Sequence, residues 1–433
     1  MRRLPCCLLA LISVASSTLA ATPPFAYGAD ISWLSEMEDR GVTFKDTTGK
    51  VDSLFSILKQ QGVNAIRLRV WVNPPAGYCN KQDVAAMAKR VAANGMRLMV
   101  DFHYSDGWAD PSQQNKPAAW STYTQPQLGS AVYNHTYAVL DTLKSLGITP
   151  NWVQVGNETS GGMLWPTATN HAGGLLYDRT TGGGMLKANG AEAFAKLIDS
   201  GYKAVKKIDT SIKVIVHINA GWNNALYKWV FDSLQTYHAH YDMIGMSFYP
   251  SVKKWRDTTA LCLANMQSVV SRYAKPVVIS EIGMPYDQPD SAYAMLKQML
   301  TNVHSLATGY GIGIFYWEPE AHGGWNGYSL GAFDPSGKPT KALRAFAENH
   351  STGMAPRAEQ TESSISLRSQ NGALRLPDGA GMQHYVLSAV SGKIMERGQV
   401  PSGSLVGSQL PAGLYLVGIT GAAKSFSGRW LKP

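Results

Sequence analysis

The chain has 433 residues, 45% of them hydrophobic and 16% charged, which excludes a disordered polypeptide and allows one large barrel plus a small second domain. Its formal charge of +9 is uneven, because residues 351–433 carry eight basic and four acidic side chains while the part before them is nearly neutral. No basic stripe with interleaved aromatics runs through that neutral part, and no stretch reaches about 18 apolar residues, so neither a nucleic-acid partner nor a membrane span is expected.

Residues 1–20 read as an export signal. Arg2 and Arg3 precede the apolar stretch 8–14, and Thr18-Leu19-Ala20 supplies a small-residue cleavage site before Ala21. The mature protein is therefore expected outside the cell, or at the cell surface if its C-terminal part anchors it. From 27 to about 348, short apolar runs of β type alternate with stretches of helical spacing. The β-type runs are 27–31, 65–70, 97–102, 152–155, 213–217, 243–248, 276–280 and 313–316. Helical patterns fall at 51–61, 83–94, 128–146, 190–208, 224–237 and 291–308; Val84, Met87, Ala88 and Val91, for example, recur every three or four residues. Several patterns end on a glycine just before the next run, as at Gly62, Gly95 and Gly147.

Eight such units predict an α/β fold, a (β/α)8 TIM barrel over 21–350. An open doubly wound sheet is the alternative, but the first strand leads into Gly28-Ala29-Asp30 and not a glycine-rich phosphate turn. Residues 351–364 are polar and read as a linker. Alternating runs at 365–368, 384–388 and 414–419, separated by turns at Gly392, Gly403 and Pro411-Ala412-Gly413, predict a small all-β, sandwich-like module over 365–433. The closing 411–417 stretch with Lys424 and Lys432 loosely resembles sorting or anchoring modules of secreted bacterial enzymes. Cys6 and Cys7 leave with the signal. Cys79 and Cys262 then remain, in predicted loops at one end of the barrel, either as one disulfide or as two unpaired thiols.

In a barrel the functional side chains stand at the C-terminal ends of the strands. Asp30, Arg67, Asp101, His103, Asp106, Asn157, Glu158, His217, Asn219, Tyr249, Glu281, Trp317 and Glu318 all fall there. The sharpest pair is Glu158, in Val155-Gly156-Asn157-Glu158, and Glu281, in Ile279-Ser280-Glu281. Glycosidic cleavage needs one protonated and one ionised carboxyl flanking the scissile bond, and strands 4 and 7 face each other across the barrel mouth. Glu158 is expected to be the acid/base, with Asn157 available to a sugar 2-hydroxyl. Glu281 is expected to be the nucleophile, kept ionised by Arg67 and Tyr249, at the separation of roughly 5–5.5 Å that goes with retention. Asp101, His103 and Asp106 could be mistaken for metal ligands, but no His or Cys spacing matches a zinc or di-iron pattern, so neither metal nor cofactor is expected. Trp71, Trp108 and Trp165 are candidate sugar platforms.

Three long segments then carry a family resemblance: 28–32 (Gly-Ala-Asp-Ile-Ser), 66–74 (Ile-Arg-Leu-Arg-Val-Trp-Val-Asn-Pro) and 101–111 (Asp-Phe-His-Tyr-Ser-Asp-Gly-Trp-Ala-Asp-Pro). With Leu164-Trp165-Pro166, Met246-Ser247-Phe248-Tyr249-Pro250 and Phe315-Tyr316-Trp317-Glu318-Pro319, they resemble the endo-β-1,4-galactanases of glycoside hydrolase family 53 over about 27–346. The resemblance implies retaining hydrolysis of β-1,4-galactan, the neutral side chain of pectin and arabinogalactan. It places Glu158 as acid/base and Glu281 as nucleophile, and Asp30, Arg67, His103, Trp108, Asn157, His217, Tyr249 and Trp317 as substrate-binding residues, in a monomer whose partner is the polysaccharide. Ile282 and Asn219 depart from the threonine and aspartate usual in relatives. The segment 318–334 is short and poor in carboxylates where bacterial relatives often bind calcium, so none is expected there. The alternatives are another retaining barrel activity, on xylan, mannan or cellulose, or a non-catalytic glycan-binding barrel.

Overall fold

The computed structural model describes residues 25–175, 190–353, 368–370, 372–376, 382–389, 394–420 and 425–432. The export signal at 1–20 and most of the predicted linker lie outside the described residues. The chain divides into two units, one ending at Gly353 and the other beginning at Met354.

In the first unit eight parallel strands close into a barrel: β1 (Ala26–Asp30), β2 (Ala65–Val70), β3 (Arg97–Phe102), β4 (Trp152–Val155), β5 (Lys213–Ile218), β6 (Met243–Phe248), β7 (Val277–Ile282) and β8 (Gly311–Trp317). Each strand neighbours the next in sequence, and β8 pairs with β1 in register from Ala26 and Gly313 to Asp30 and Trp317. The helices after the strands are α1 (Leu54–Gln60), α2 (Lys81–Ala93), α3 (Gln125–Ser145), α4 (Gly190–Ile208), α5 (Asn224–Thr236), α6 (Trp255–Tyr273), α7 (Pro289–His304) and α8 (Arg344–Gly353), with a short extra helix at Leu34–Asp39. Their starts follow local chemistry. Asn80 accepts from the Gln82 and Asp83 N–H groups, and Thr124 and Gln127 form a capping box. At the other end, Gly62, Gly95 and Gly147 follow α1, α2 and α3 with φ of +84°, +67° and +73°, left-handed backbone that a side chain disfavours. Helix α2 buries Val84, Ala85, Met87, Ala88 and Val91, the stripe its periodicity predicts.

Three of the shifts from the expected boundaries have a local account. The 51–61 pattern splits, because Ser53 caps the helix and Val51–Asp52 pairs with Phe44–Lys45 instead. Helix α7 starts earlier, at Pro289, whose missing N–H suits the first turn. Helix α8 runs on to Gly353, so the first residues assigned to the linker are helical.

Strand periodicity builds the barrel interior in layers. Alternate residues of every strand point inward. At the N-terminal end they are Ala26, Ala65, Met99, Trp152, Ile215, Met243, Val278 and Phe315, one cluster of buried side chains that fills the barrel bottom. A Cβ on Gly28 would come within 2.2 Å of the Phe315 ring, so that ring occupies space only glycine leaves free. Further up, the inward stripe becomes polar: Asp30, Arg67, Asp101, Gln154, His217 and Ser247, all at most 1% exposed. The alternation that makes an apolar plug therefore also places the polar layer on top of it.

The two cysteines correct the disulfide option, for both are free and buried. The Cys79 thiol, in the turn after β2, donates to the Ser32 carbonyl at 3.4 Å. Cys262 lies not in a loop but on α6, beside Gly221. Burial pushes the Cys79 thiol up to about 12 and raises Cys262 as well, so both are protonated packing groups.

The second unit has antiparallel sheets built from β9 (Arg368–Gln370), β10 (Ala373–Arg375), β11 (Met382–Ala389), β12 (Ile394–Pro401), β13 (Leu405–Val406), β14 (Gly413–Thr420) and β15 (Ser425–Lys432). Their order is β9-β10-β13 in one sheet and β12-β11-β14-β15 in the other. Leu374, Leu387, Val406, Val417 and Trp430 belong to one core between them. Strands β12 and β15 were not expected: Ile-Met-Glu-Arg-Gly-Gln-Val-Pro and Ser-Phe-Ser-Gly-Arg-Trp-Leu-Lys have too few apolar residues to read as strands alone.

Candidate active site

A cleft of about 720 Å³ opens at the C-terminal ends of the barrel strands, and both glutamates line it. Glu158 follows β4 with φ +45°, left-handed backbone that is strained for a residue with a side chain and turns it toward the cleft. Glu281 sits on β7 where the pairing with β6 slips: Met246 faces Ile279, but Ser247 faces Glu281. This bulge at Ser280 re-aims the glutamate inward. Gly245 makes room for it, since a Cβ there would lie 2.6 Å from the Ser280 hydroxyl.

Arg67 organises the floor. Its Nη1 donates to Asp30 at 2.6 Å, and its Nη2 reaches Asp101 at 2.8 Å, Asn157 Oδ1 at 2.9 Å and Glu281 at 2.9 Å. Its Nε donates to Gln154 at 3.1 Å. Burial works against the Arg67 charge, but the three carboxylates around the guanidinium more than reverse that and raise its affinity for the proton. Burial pushes Asp101 up, but Arg67 and His103 more than reverse that, and its carboxyl stays below the usual range. The backbone N–H of Ala109 donates to His103 Nδ1, so His103 Nε2 carries the proton and donates it to Asp101 at 3.0 Å.

Burial raises both glutamates, and the Glu158 charge raises Glu281 further. Their hydrogen bonds tell them apart. Glu281 takes the Arg67 contact and a 2.8 Å bond from the Tyr249 hydroxyl, both of which favour the anion. Among the described residues Glu158 forms no ion pair; burial outweighs the pull of Ser247 and the more distant Arg67 toward its anion. Contact with Arg67 and Tyr249 thus favours an anion on Glu281.

His103, Trp108, Asn157, Tyr249 and Trp317 line the cleft with the glutamates. Asn157 is held by Arg67 on its oxygen and by the Ala109 carbonyl on its nitrogen, which leaves one amide N–H for the cleft. Asp30, Arg67 and His217 correct the expectation of sugar contact: all three are 0% exposed and lie beneath the floor. Asp106 ties loops together through the Asn73 and Ala118 N–H groups. Trp71 and Trp108 border the cleft, whereas Trp165 does not and donates its ring N–H to the Gly161 carbonyl.

Sequence reasoning missed Trp33, Gln154 and Ser247. Trp33 meets Trp317 edge-on at 5.1 Å and Trp108 at 5.8 Å, and Arg69 lies 4.5 Å from the Trp108 ring centre beneath them. An aromatic directly after β1, and lone polar residues at inward positions of apolar strands, were the available signals. Beside this cluster Glu320 is fully buried against Glu318; burial and the Glu318 charge raise it well above the carboxylate range, so it stays the neutral acid and donates to Glu318.

The sequence profile of glycosyl hydrolase family 53 matches residues 26–346. The chain is 36% identical over 318 residues to an uncharacterised protein of Niallia circulans, covering 68% of this chain and 83% of that one. It is 35% identical over 339 residues to a probable arabinogalactan endo-β-1,4-galactanase A of Neosartorya fischeri, covering 73% and 88%. Among solved structures, a fungal β-1,4-galactanase superposes with a TM-score of 0.66 at 29% identity, covering 75% of this chain and 99% of that one.

Proposed function

The chain belongs to glycosyl hydrolase family 53, and from that premise we propose that it cleaves β-1,4-galactosidic bonds of galactan and arabinogalactan by double displacement. In the first step a Glu281 oxygen attacks the anomeric carbon while Glu158 gives its proton to the leaving glycosidic oxygen, so the C1–O bond breaks as the C1–carboxylate bond forms. In the second step Glu158, now a carboxylate, takes a proton from water. The resulting oxygen attacks C1 from the side the leaving group vacated, and Glu281 is released. Two inversions give net retention. The reading is carried by the unequal contacts of the pair: Arg67 at 2.9 Å and Tyr249 at 2.8 Å on Glu281, and no ion pair on Glu158 among the described residues.

The test is a panel of galactan, xylan, mannan and cellulose, followed by NMR of the first product on linear β-1,4-galactan. Release from galactan with the β-anomer formed first is expected. A first-formed α-anomer, or faster release from one of the other polymers, defeats the reading.

Export and a pectic substrate belong to the same proposal. They are supported by the charged, apolar and small-residue order of 1–20 and by the eight basic residues of 351–433, which suit an acidic pectin backbone through screened attraction. Protein recovered from the medium of an expressing bacterium should begin at Ala21. Recovery only inside the cell with Met1 intact would argue against export.

A further inference from the structure

Arg67 and Arg69 stand two residues apart on β2, both at most 1% exposed, yet their guanidinium groups face different partners. Arg67 turns every nitrogen to an oxygen, on Asp30, Gln154, Asp101, Asn157 and Glu281. Arg69 gives Nη1 to Glu318, while its Nε and Nη2 are buried with no hydrogen-bond partner among the described residues. Its other neighbours are aromatic. The guanidinium carbon lies 4.5 Å from the ring centre of Trp108, 5.1 Å from Trp71 and 5.3 Å from Trp33. A desolvated cation within about 6 Å of an indole face is attracted by the ring quadrupole, and here three rings share one cation. The three tryptophans follow β1, β2 and β3, so no single segment holds them together. They meet edge to face, Trp71 and Trp108 at 5.2 Å and Trp33 and Trp108 at 5.8 Å, and all three line the cleft. Glu318 secures the far side of the cation. Its second oxygen accepts the Trp33 backbone N–H at 3.2 Å.

We propose that Arg69 is a positioning residue for sugar binding: its charge, held by Glu318, locks Trp33, Trp71 and Trp108 into one wall of the cleft and so sets the affinity for the polysaccharide chain. The substrate named here rests on the galactanase reading, whereas the ordering of the rings does not. A buried ion pair that served the fold alone would be expected to aim its remaining N–H groups at oxygens, as Arg67 does. Rings fixed before the sugar arrives lose less rotamer freedom when it settles on them, which strengthens binding. Such a wall holds the chain about equally in the ground state and the transition state. Its loss therefore belongs in KM, with little change in kcat.

The experiment measures kcat and KM on linear β-1,4-galactan, and the near-UV circular dichroism of the free protein, for the wild type and three variants. Arg69→Met combined with Glu318→Gln removes both charges, so no buried carboxylate is left without its cation. Arg69→Gln keeps a donor for Glu318 without the charge, and Arg69→Lys keeps the charge. The two neutral variants should raise KM about tenfold with kcat within about threefold of wild type. Their near-UV tryptophan bands should weaken while the far-UV spectrum stays the same. Lysine should hold KM within about threefold of wild type and retain most of the near-UV signal. Whichever neutral variant folds carries the test. A KM within about twofold of wild type in the neutral variants, an equal rise in the lysine and neutral variants, or a fall in kcat with KM unchanged overturns the proposal. Failure of both neutral variants to fold shows a pair that serves the fold, and overturns it as well. A wild type without activity on galactan defeats the galactanase reading instead. The near-UV comparison then decides the role of Arg69, and unchanged tryptophan bands overturn it.

Discussion

Changing Glu281 or Glu158 to glutamine is expected to lower kcat on galactan by at least about 10³-fold, with the fold intact. Each step of the proposed mechanism uses both groups, so the double variant should be little worse than either single one. The stability effect has the opposite sign from the activity effect. Glu281 is 5% exposed and burial resists its charge, while Arg67 keeps Asp30 and Asp101 as partners. A neutral amide of the same shape should leave the melting temperature unchanged or higher. Azide separates the two roles. With Glu158→Ala it should attack the galactosyl-enzyme and give a β-glycosyl azide, and with Glu281→Ala it should fill the space of the nucleophile and give the α-anomer. Exchanged anomers would reverse the assignment, and near wild-type turnover in either glutamine variant would remove it.

The second large effect is on stability and belongs to Arg67. Arg67→Met strips the cation from Asp30, Asp101 and Glu281, all at most 5% exposed. Breaking a buried pair by removing one partner usually costs about 3–5 kcal/mol, and here several carboxylates lose the same partner. Unfolding in denaturant at pH 7 should show a loss of at least that size, together with loss of activity. The pH dependence has a definite sign. In the wild type Asp101 is held below its unfolded pKa, so its contribution is present above that value and disappears as pH falls through the folded pKa. Without Arg67 the buried carboxyls prefer their protons, so the deficit should be largest near neutrality and shrink below about pH 4. Lysine should not rescue, because one ammonium cannot supply the fork that reaches Asp30 on one nitrogen and Asp101, Asn157 and Glu281 on the other. A variant within about 1 kcal/mol of wild type at pH 7 would show that the guanidinium is not what holds the floor together.

The eight-strand order, the helix ends at Gly62, Gly95 and Gly147, and the standing of Glu158 and Glu281 at the ends of β4 and β7 were legible in the sequence alone. These features depend on local periodicity and turn chemistry, which neighbouring residues carry. Depth was not legible. Asp30, Arg67 and His217 stand at strand ends like His103 and Trp317, yet they lie under the floor, because the stagger between strands decides which layer an inward residue joins. The bulge at Ser280 that aims Glu281, the free state of Cys79 and Cys262, and the chain from Arg67 through Gln154 and His217 to Ser247 were likewise decided only by the tertiary structure. Each depends on which residues of distant segments meet once the barrel closes, and closure brings Gln154, His217 and Ser247 together from three different strands.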